Sequence, residues 1–393
     1  MTIIPIKNEN SLSCNHLSNH LAIVSSNAII SPCCQFKDFR QPNKYKTVFN
    51  QKSLDDILNS GFWQSVRDNL DRGTKIPSCS GCWANEEAGA VSKRQWANSS
   101  MEVLHPNTIE DLEIGLDYTC NMMCRICKPA QSSKWNQSSA ADKLYARRPA
   151  IYNKINNVKE YQTKLKSLVE NSNLKNVRRV RLVGGEPFYS KNFEWFIDKL
   201  ATETDISLLD FAVNTNGSII PKEAVLEKFF KMKAVRIDFS LDAVGDLASC
   251  TRWGVEWSAI EANVKRWVEL ARAHTNIKLN VHSTISILNI NRIQEIIDFC
   301  DANNLIFGFS ILEDPDYLNY CQIPAEIRNT WTVSSSKQVA YLINDLNTSI
   351  TKTAMSKNKL YDFLYFTEVL DEYQGLTFSK VNPEIIEIAK RLK

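Results

Sequence analysis

Residues Leu112–Pro129, LEIGLDYTCNMMCRICKP, decide how the rest of the chain is read. Leu112, Ile114, Leu116 and Tyr118 fall on one face of this stretch, and Asp111, Glu113 and Asp117 fall on the other. That period of two predicts a strand over 112–118. Cys120, Cys124 and Cys127 follow as C-x3-C-x2-C, on a loop just past the carboxyl end of the strand. Three thiolates on so short a loop cannot all pair as disulfides, but they can converge on one metal centre. A closed zinc site, or a cluster ligated wholly by protein, takes four ligands. Three leave one coordination position open for chemistry.

Downstream, apolar alternation predicts further strands over 178–183, 208–213, 234–240, 277–285 and 305–310. Helical periods lie between them at Phe193–Leu200, Glu223–Phe230, Ile260–Ala271 and Ile293–Cys300. Strands alternating with helices predict an α/β fold with a parallel sheet, open or curled into a partial barrel. Active sites of such folds gather at the carboxyl ends of the strands. The unusual residues gather there too. The second strand runs into Gly184-Gly185-Glu186-Pro187, where two glycines permit close backbone approach to a ligand and the proline stiffens the turn. The third ends in Asn214-Thr215-Asn216-Gly217, the fourth brings Ser240 and Asp242, and the fifth ends near His282–Thr284 with Asn289 beyond. Taken alone, Asn216-Gly217 is also a common turn dipeptide.

The cysteine triplet after a first strand, GGEP after a second, and NTNG and S-x-D further on resemble the radical S-adenosylmethionine (SAM) enzymes over about 112–312. The resemblance implies a partial (β/α)6 barrel. It implies that Cys120, Cys124 and Cys127 hold a [4Fe–4S] cluster whose fourth iron is chelated by SAM. Gly184, Gly185, Glu186 and Pro187 would form a cofactor-binding turn, the first three against the methionyl amino group. Asn216, Ser240 and Asp242 would contact the ribose and carboxylate. It further implies an electron donor such as a flavodoxin or ferredoxin. One departure is Ile126, at a position that is often aromatic in the family.

A second group of cysteines lies upstream. Cys14, Cys33, Cys79 and Cys82 have the form C-x18-C and, after 45 residues, C-x2-C. Leu21–Val24 and Ile29–Ile30 around Ser25-Ser26-Asn27 predict a hairpin between the first two. Ser53 begins a helix that is expected to continue through Phe62, Trp63 and Val66. The pattern resembles the twitch module, a shortened relative of the SPASM auxiliary-cluster domain, although that module usually follows the barrel and here precedes it. Four thiolates make a closed site that a second [4Fe–4S] cluster or a zinc ion would accept. His16, His20 and Cys34 offer alternative ligands. The expected organisation is a small cysteine-rich α+β domain over 1–104, a radical SAM core over 105–312, and a helical segment over 313–393 with helices at 336–350, 357–373 and 383–392.

Composition bounds the rest. The 393 residues are 44% hydrophobic and 23% charged, with a net charge of +3, which does not indicate nucleic acid as a partner. Arg178, Arg179 and Arg181, like Arg147 and Arg148, are expected on solvated faces. Asn and Ser enrichment at 132–139 predicts a loop. No apolar run reaches membrane-spanning length, and MTIIPIKNENSLSC lacks the pattern of a secretory signal. Eleven cysteines without a signal point to a reducing compartment, so a cytoplasmic enzyme is expected. Cys300 is expected to be a buried helix residue. The expected function is SAM cleavage and hydrogen abstraction, with a peptide or protein as substrate. The alternatives are a small molecule or nucleotide as substrate, or a non-catalytic metal-binding scaffold.

Overall fold

The computed structural model describes residues 12–23, 30–33, 35–36, 51–156, 158–328, 330–331, 333 and 356–392. Among these residues ten strands form: β1 His20–Ile23, β2 Ile30–Ser31, β3 Asp111–Ile114, β4 Met123–Cys124, β5 Arg179–Leu182, β6 Asp210–Thr215, β7 Ala234–Ser240, β8 Arg252–Trp253, β9 Ile277–Ile285 and β10 Ile306–Ile311. Eight of them form one sheet in the order β10-β9-β7-β6-β5-β3-β1-β2. The six expected strands β3, β5, β6, β7, β9 and β10 run parallel, with helices such as Phe193–Glu203, Glu223–Lys231, Trp257–Ala273 and Ile293–Ala302 between them. Among the described residues β10 and β2 remain as sheet edges, and no closed barrel is formed.

Alternation along the strands explains the two faces. In β9, IKLNVHSTI, Ile277, Leu279, Val281, Ser283 and Ile285 are buried under the helices. Lys278, Asn280, His282 and Thr284 face the other way, toward the open interior. The same division puts Glu113, Arg181, Arg236 and Lys278 on the inner face, along one run of the register Glu113–Arg181–Ala212–Arg236–Lys278. Four of the five arginines expected on solvated faces form ion pairs there. Arg179 meets Asp111 at 3.2 Å, Arg181 meets Asp238 at 3.2 Å, and Arg147 and Arg148 share Asp362. Their acidic partners come from other elements, which the local sequence could not show.

The cysteine-rich segment is built into the same sheet. β1 and β2 pair antiparallel as the expected hairpin, its turn at 24–29 lying outside the described residues. β1 also pairs parallel with β3, in the register His20↔Asp111 to Ile23↔Ile114, so the sheet runs across residue 104. The expected helix from Ser53 is two helices, Leu54–Leu58 and Gly61–Asp71. Ser53 and Asp56 form a capping box at the start of the first. Asn59 stops it, its side-chain amide donating to Asp55 O and Asn107 O at 3.0 Å each.

Two further expectations change. The first strand stops at Ile114 instead of 118, with the Gly115 N–H making its last bond to β1, at Ile23 O, 2.6 Å. The stretch 132–139 holds the helices Ser133–Gln137 and Ser139–Tyr145, and Ser138 caps the second by accepting from Ala141 N at 3.1 Å. Ser138 thus serves as a helix cap, not as a loop residue. The expected helix at 336–350 lies outside the described residues, whereas Lys357–Gln374 and Pro383–Leu392 form with Pro383 in the first turn. Cys300 is fully buried on its helix. No helix among the described residues is long and apolar enough to cross a membrane.

Candidate active site

The carboxyl ends of the strands open into a cavity of about 530 Å³. Cys120, Cys124, Cys127, Gly184, Gly185, Asn216 and Ser240 all line it, together with Ile126 and Arg252. The cysteine loop is fixed from several sides. The Cys120 N–H donates to Ser133 Oγ at 3.0 Å, and Trp135 Nε1 donates to Cys124 O at 2.8 Å. β4, which carries Cys124, pairs with β8, setting Cys124 opposite Arg252. From the helix Lys357–Gln374, Asp371 pairs with the fully buried Arg125 at 2.5 Å, and Gln374 Nε2 donates to Met123 O at 3.3 Å.

As free thiols these cysteines resist ionisation unevenly. Burial pushes Cys120 up to about 12. The Cys127 thiol donates to Cys124, which lowers Cys124 and raises Cys127 well above the usual range. Thiolate ligands at such a site form when a metal takes the place of the protons.

The glycines make the cradle. Gly184 and Gly185 have φ of +81° and +51°, and a Cβ on Gly185 would sit 2.4 Å from Thr119 O. No side chain fits there, so the backbone lies directly under the cavity. Asn216 faces the cavity within a polar cluster, its amide donating to Asn121 Oδ1 at 2.9 Å and its carbonyl accepting from Ser218 N at 2.9 Å.

Glu186, Pro187 and Asp242, expected as cofactor contacts, do not line this cavity. Glu186 is buried behind it, and its carboxylate accepts from Asn216 N at 2.6 Å, Thr215 Oγ1 at 2.8 Å and Phe188 N at 3.1 Å. Burial pushes its pKa up to about 7 despite these donors. Pro187 starts a buried 3-10 turn. Asp242 accepts from Thr284 N at 2.8 Å and pairs with Arg252 Nε at 2.8 Å. Their side chains hold strand ends in place: donors from the neighbouring strands occupy the carboxylates.

Arg252 is the residue that the local sequence does not reveal. It is buried, bridges Asp242, and places Nη1 3.8 Å from Cys124 Sγ. Burial opposes its charge, but Asp242 and Cys124 raise its pKa above the ordinary arginine value.

The upstream cysteines gather in a satellite cluster. Cys82 is buried there with Leu17, Val66, Leu70 and Trp83, and Cys14 and Cys79 pack against it. Burial pushes Cys14 up to about 11 and Cys79 up to about 12, and the three sulfurs act on one another electrostatically. Cys33 lies on the neighbouring turn, where Phe36 N donates to Cys33 O and Gln35 reaches toward Gly81, 3.5 Å from where a Cβ would stand. Cys34 lies outside the described residues.

Both cysteine groups lie within segments that match known families. Residues 118–301 match the model of the radical SAM superfamily, and residues 14–83 match an iron–sulfur cluster-binding domain, SPASM. The chain belongs to the radical SAM superfamily and carries its auxiliary iron–sulfur domain ahead of the core. It is therefore an enzyme of that family, with SAM and a [4Fe–4S] cluster as cofactors and further iron–sulfur binding by the N-terminal domain.

Among curated proteins, the chain is 32% identical over 108 residues to a GTP 3',8-cyclase of Rhizobium etli, covering 27% of this chain and 29% of that protein. It is 26% identical over 230 residues to the GTP 3',8-cyclase of Desulforamulus reducens, covering 58% and 59%. The chain thus spans from under a third to about three fifths of the length of these relatives. Among solved structures, Streptococcus suis SuiB bound to precursor peptide SuiA aligns with a TM-score of 0.35 at 15% identity, covering 69% of this chain and 55% of that one.

Proposed function

We propose that this enzyme reductively cleaves SAM at Cys120, Cys124 and Cys127 and directs the resulting radical at a hydrogen of a peptide or protein substrate. The observation that carries the cleavage reading is the cavity itself. Three cysteines supplying thiol ligands, a glycine backbone cradle and Asn216 face one volume of about 530 Å³. When bound there, the cluster supplies the electron that breaks a carbon–sulfur bond of SAM, giving methionine and a 5′-deoxyadenosyl radical.

The protein's own residues do the rest. Cys120, Cys124 and Cys127 would hold the cluster. Gly184 and Gly185 admit the methionyl end against bare backbone. Asn216 and Ser240 offer polar contacts on the cavity wall. Glu186 and Asp242 act as positioning residues, tying the GGEP turn to β6 and β7 to β9. Arg252 sets positive charge beside Cys124. Cys14, Cys33, Cys79 and Cys82 would hold the auxiliary cluster.

The peptide reading rests on the auxiliary iron–sulfur domain joined to the radical SAM core. A nucleotide substrate is the second reading. It is favoured by the inner-face cations Arg181, Arg236 and Lys278 and by the relatives named GTP 3',8-cyclase. An external electron donor, such as a flavodoxin or ferredoxin, is part of both readings. Anaerobic incubation of the reconstituted, reduced protein with SAM in deuterated solvent, with a peptide library in one arm and GTP in the other, separates them by mass spectrometry. Mass-shifted peptide supports the first, cyclised nucleotide the second, and unchanged material in both arms refutes both substrate classes.

A further inference from the structure

Outside both cysteine sites, His16, His20 and Asp111 come together where the N-terminal hairpin meets β3. Their ligand atoms all lie within 4.8 Å of one another. His16 and His20 are 2% and 4% exposed, and the two rings meet edge-on with centroids 4.5 Å apart.

Each residue is prepared in a different way. His20 Nδ1 is 2.7 Å from Pro32 O, a geometry in which Nδ1 carries the hydrogen and donates it. That fixes Nε2 as the bare nitrogen, and Nε2 points at Asp111 Oδ1, 4.0 Å away. Metal-ligating imidazoles are commonly oriented by such a bond from the other nitrogen to a backbone carbonyl. Asp111 gives its second oxygen, Oδ2, to Arg179 at 3.2 Å, so Oδ1 is the oxygen turned to the histidines. His16 is the telling member. Neither ring nitrogen has a hydrogen-bond partner, although both are buried. A core histidine normally satisfies at least one.

We propose that His16, His20 and Asp111 bind one divalent transition-metal ion, separate from both iron–sulfur sites. Two neutral imidazoles and one carboxylate suit zinc and its first-row neighbours. The nearby cations Lys93 and Arg179 oppose a weakly held, oxygen-seeking ion such as Mg²⁺ and leave the borderline metals that imidazole holds strongly. The ion would be a cross-link. His16 lies two residues past Cys14, and β3, which begins at Asp111, leads to Cys120. One metal would therefore pin the auxiliary-cluster segment to the strand that delivers the catalytic cysteines.

The test uses the full chain with its clusters reconstituted. The protein is exposed to Zn²⁺, freed of loose metal with a weak chelator, and assayed for zinc and iron by mass spectrometry and for zinc coordination by K-edge X-ray absorption. The expected result is one zinc per chain with nitrogen and oxygen neighbours at about 2.0–2.2 Å and no sulfur at about 2.3 Å. His16→Gln and Asp111→Asn should each lose that zinc while iron content and circular dichroism stay at wild-type values. If His16→Gln does not fold, the near-isosteric Asp111→Asn decides. Wild-type protein that retains no zinc, zinc with sulfur neighbours, or zinc retained by Asp111→Asn would each overturn the proposal.

Discussion

Replacing Arg252 with methionine tests whether the cavity wall is held by charge. The substitution keeps most of the aliphatic stem and removes the guanidinium. Asp242, 3% exposed, then loses a partner at 2.8 Å and keeps Thr284 N as its side-chain donor among the described residues. Leaving one member of a buried pair alone costs about 3–5 kcal/mol. Arg252→Met should therefore lower the unfolding free energy by about that amount. Asp242→Asn should also destabilise, because it strands the arginine. The double variant should recover part of the loss, with a coupling of about 2 kcal/mol.

Stability is read by anaerobic urea unfolding followed by tryptophan fluorescence. A second readout is electrochemical. A unit charge 3.8 Å from sulfur is worth about 4 kcal/mol at an effective dielectric constant of 20, offset in part by Asp242. Loss of the cation should make the cluster harder to reduce, moving its midpoint potential to more negative values in a titration followed by electron paramagnetic resonance. Additive single variants, with an unmoved potential in Arg252→Met, would refute the pairing and the role given to Arg252.

Other outcomes follow from the same geometry. Gly185→Ala should abolish SAM binding measured by calorimetry while leaving iron content intact, because its Cβ would stand 2.4 Å from Thr119 O. Glu186 has a pKa raised from 4.5 to about 7, so its folded form holds the proton more tightly than the unfolded chain does. Its contribution to stability is fully present below pH 4.5 and is lost as pH rises through 7, a fall of about 3 kcal/mol. Unfolding of Glu186→Gln measured across that window should lack this component, and an unchanged pH slope would contradict the assignment. The pair Cys79→Ala and Cys82→Ala should lower iron and sulfide by about one cluster while leaving uncoupled SAM cleavage partly intact. Zinc lost in place of iron would instead mark a structural zinc site.

The sheet was legible because each strand separates an apolar face under helices from a polar face toward the interior. β9 shows this over nine residues, and its bounds match the expectation at both ends. The cysteine triplet and the GGEP turn were legible because their spacing is local. What escaped depends on residues far apart in sequence. Arg252 sits on a two-residue strand with no periodicity of its own, and its partner Cys124 is 128 positions away. Arg125 finds Asp371 across 246 positions. The hairpin at β1 and β2 was readable, but its parallel pairing with β3 was not, since register between distant strands leaves no local mark. Glu186 was identified as a site residue from its motif. Its buried role depends on donors that β6 supplies, and only the fold reveals them.

The central claim is that Cys120, Cys124 and Cys127 form the centre at which SAM is cleaved. Its most direct test is the amount of 5′-deoxyadenosine formed by anaerobically reconstituted, dithionite-reduced protein, measured beside Cys124→Ala. The account predicts 5′-deoxyadenosine from the wild type and none from Cys124→Ala. No product from cluster-loaded wild type, or equal product from the variant, would contradict it.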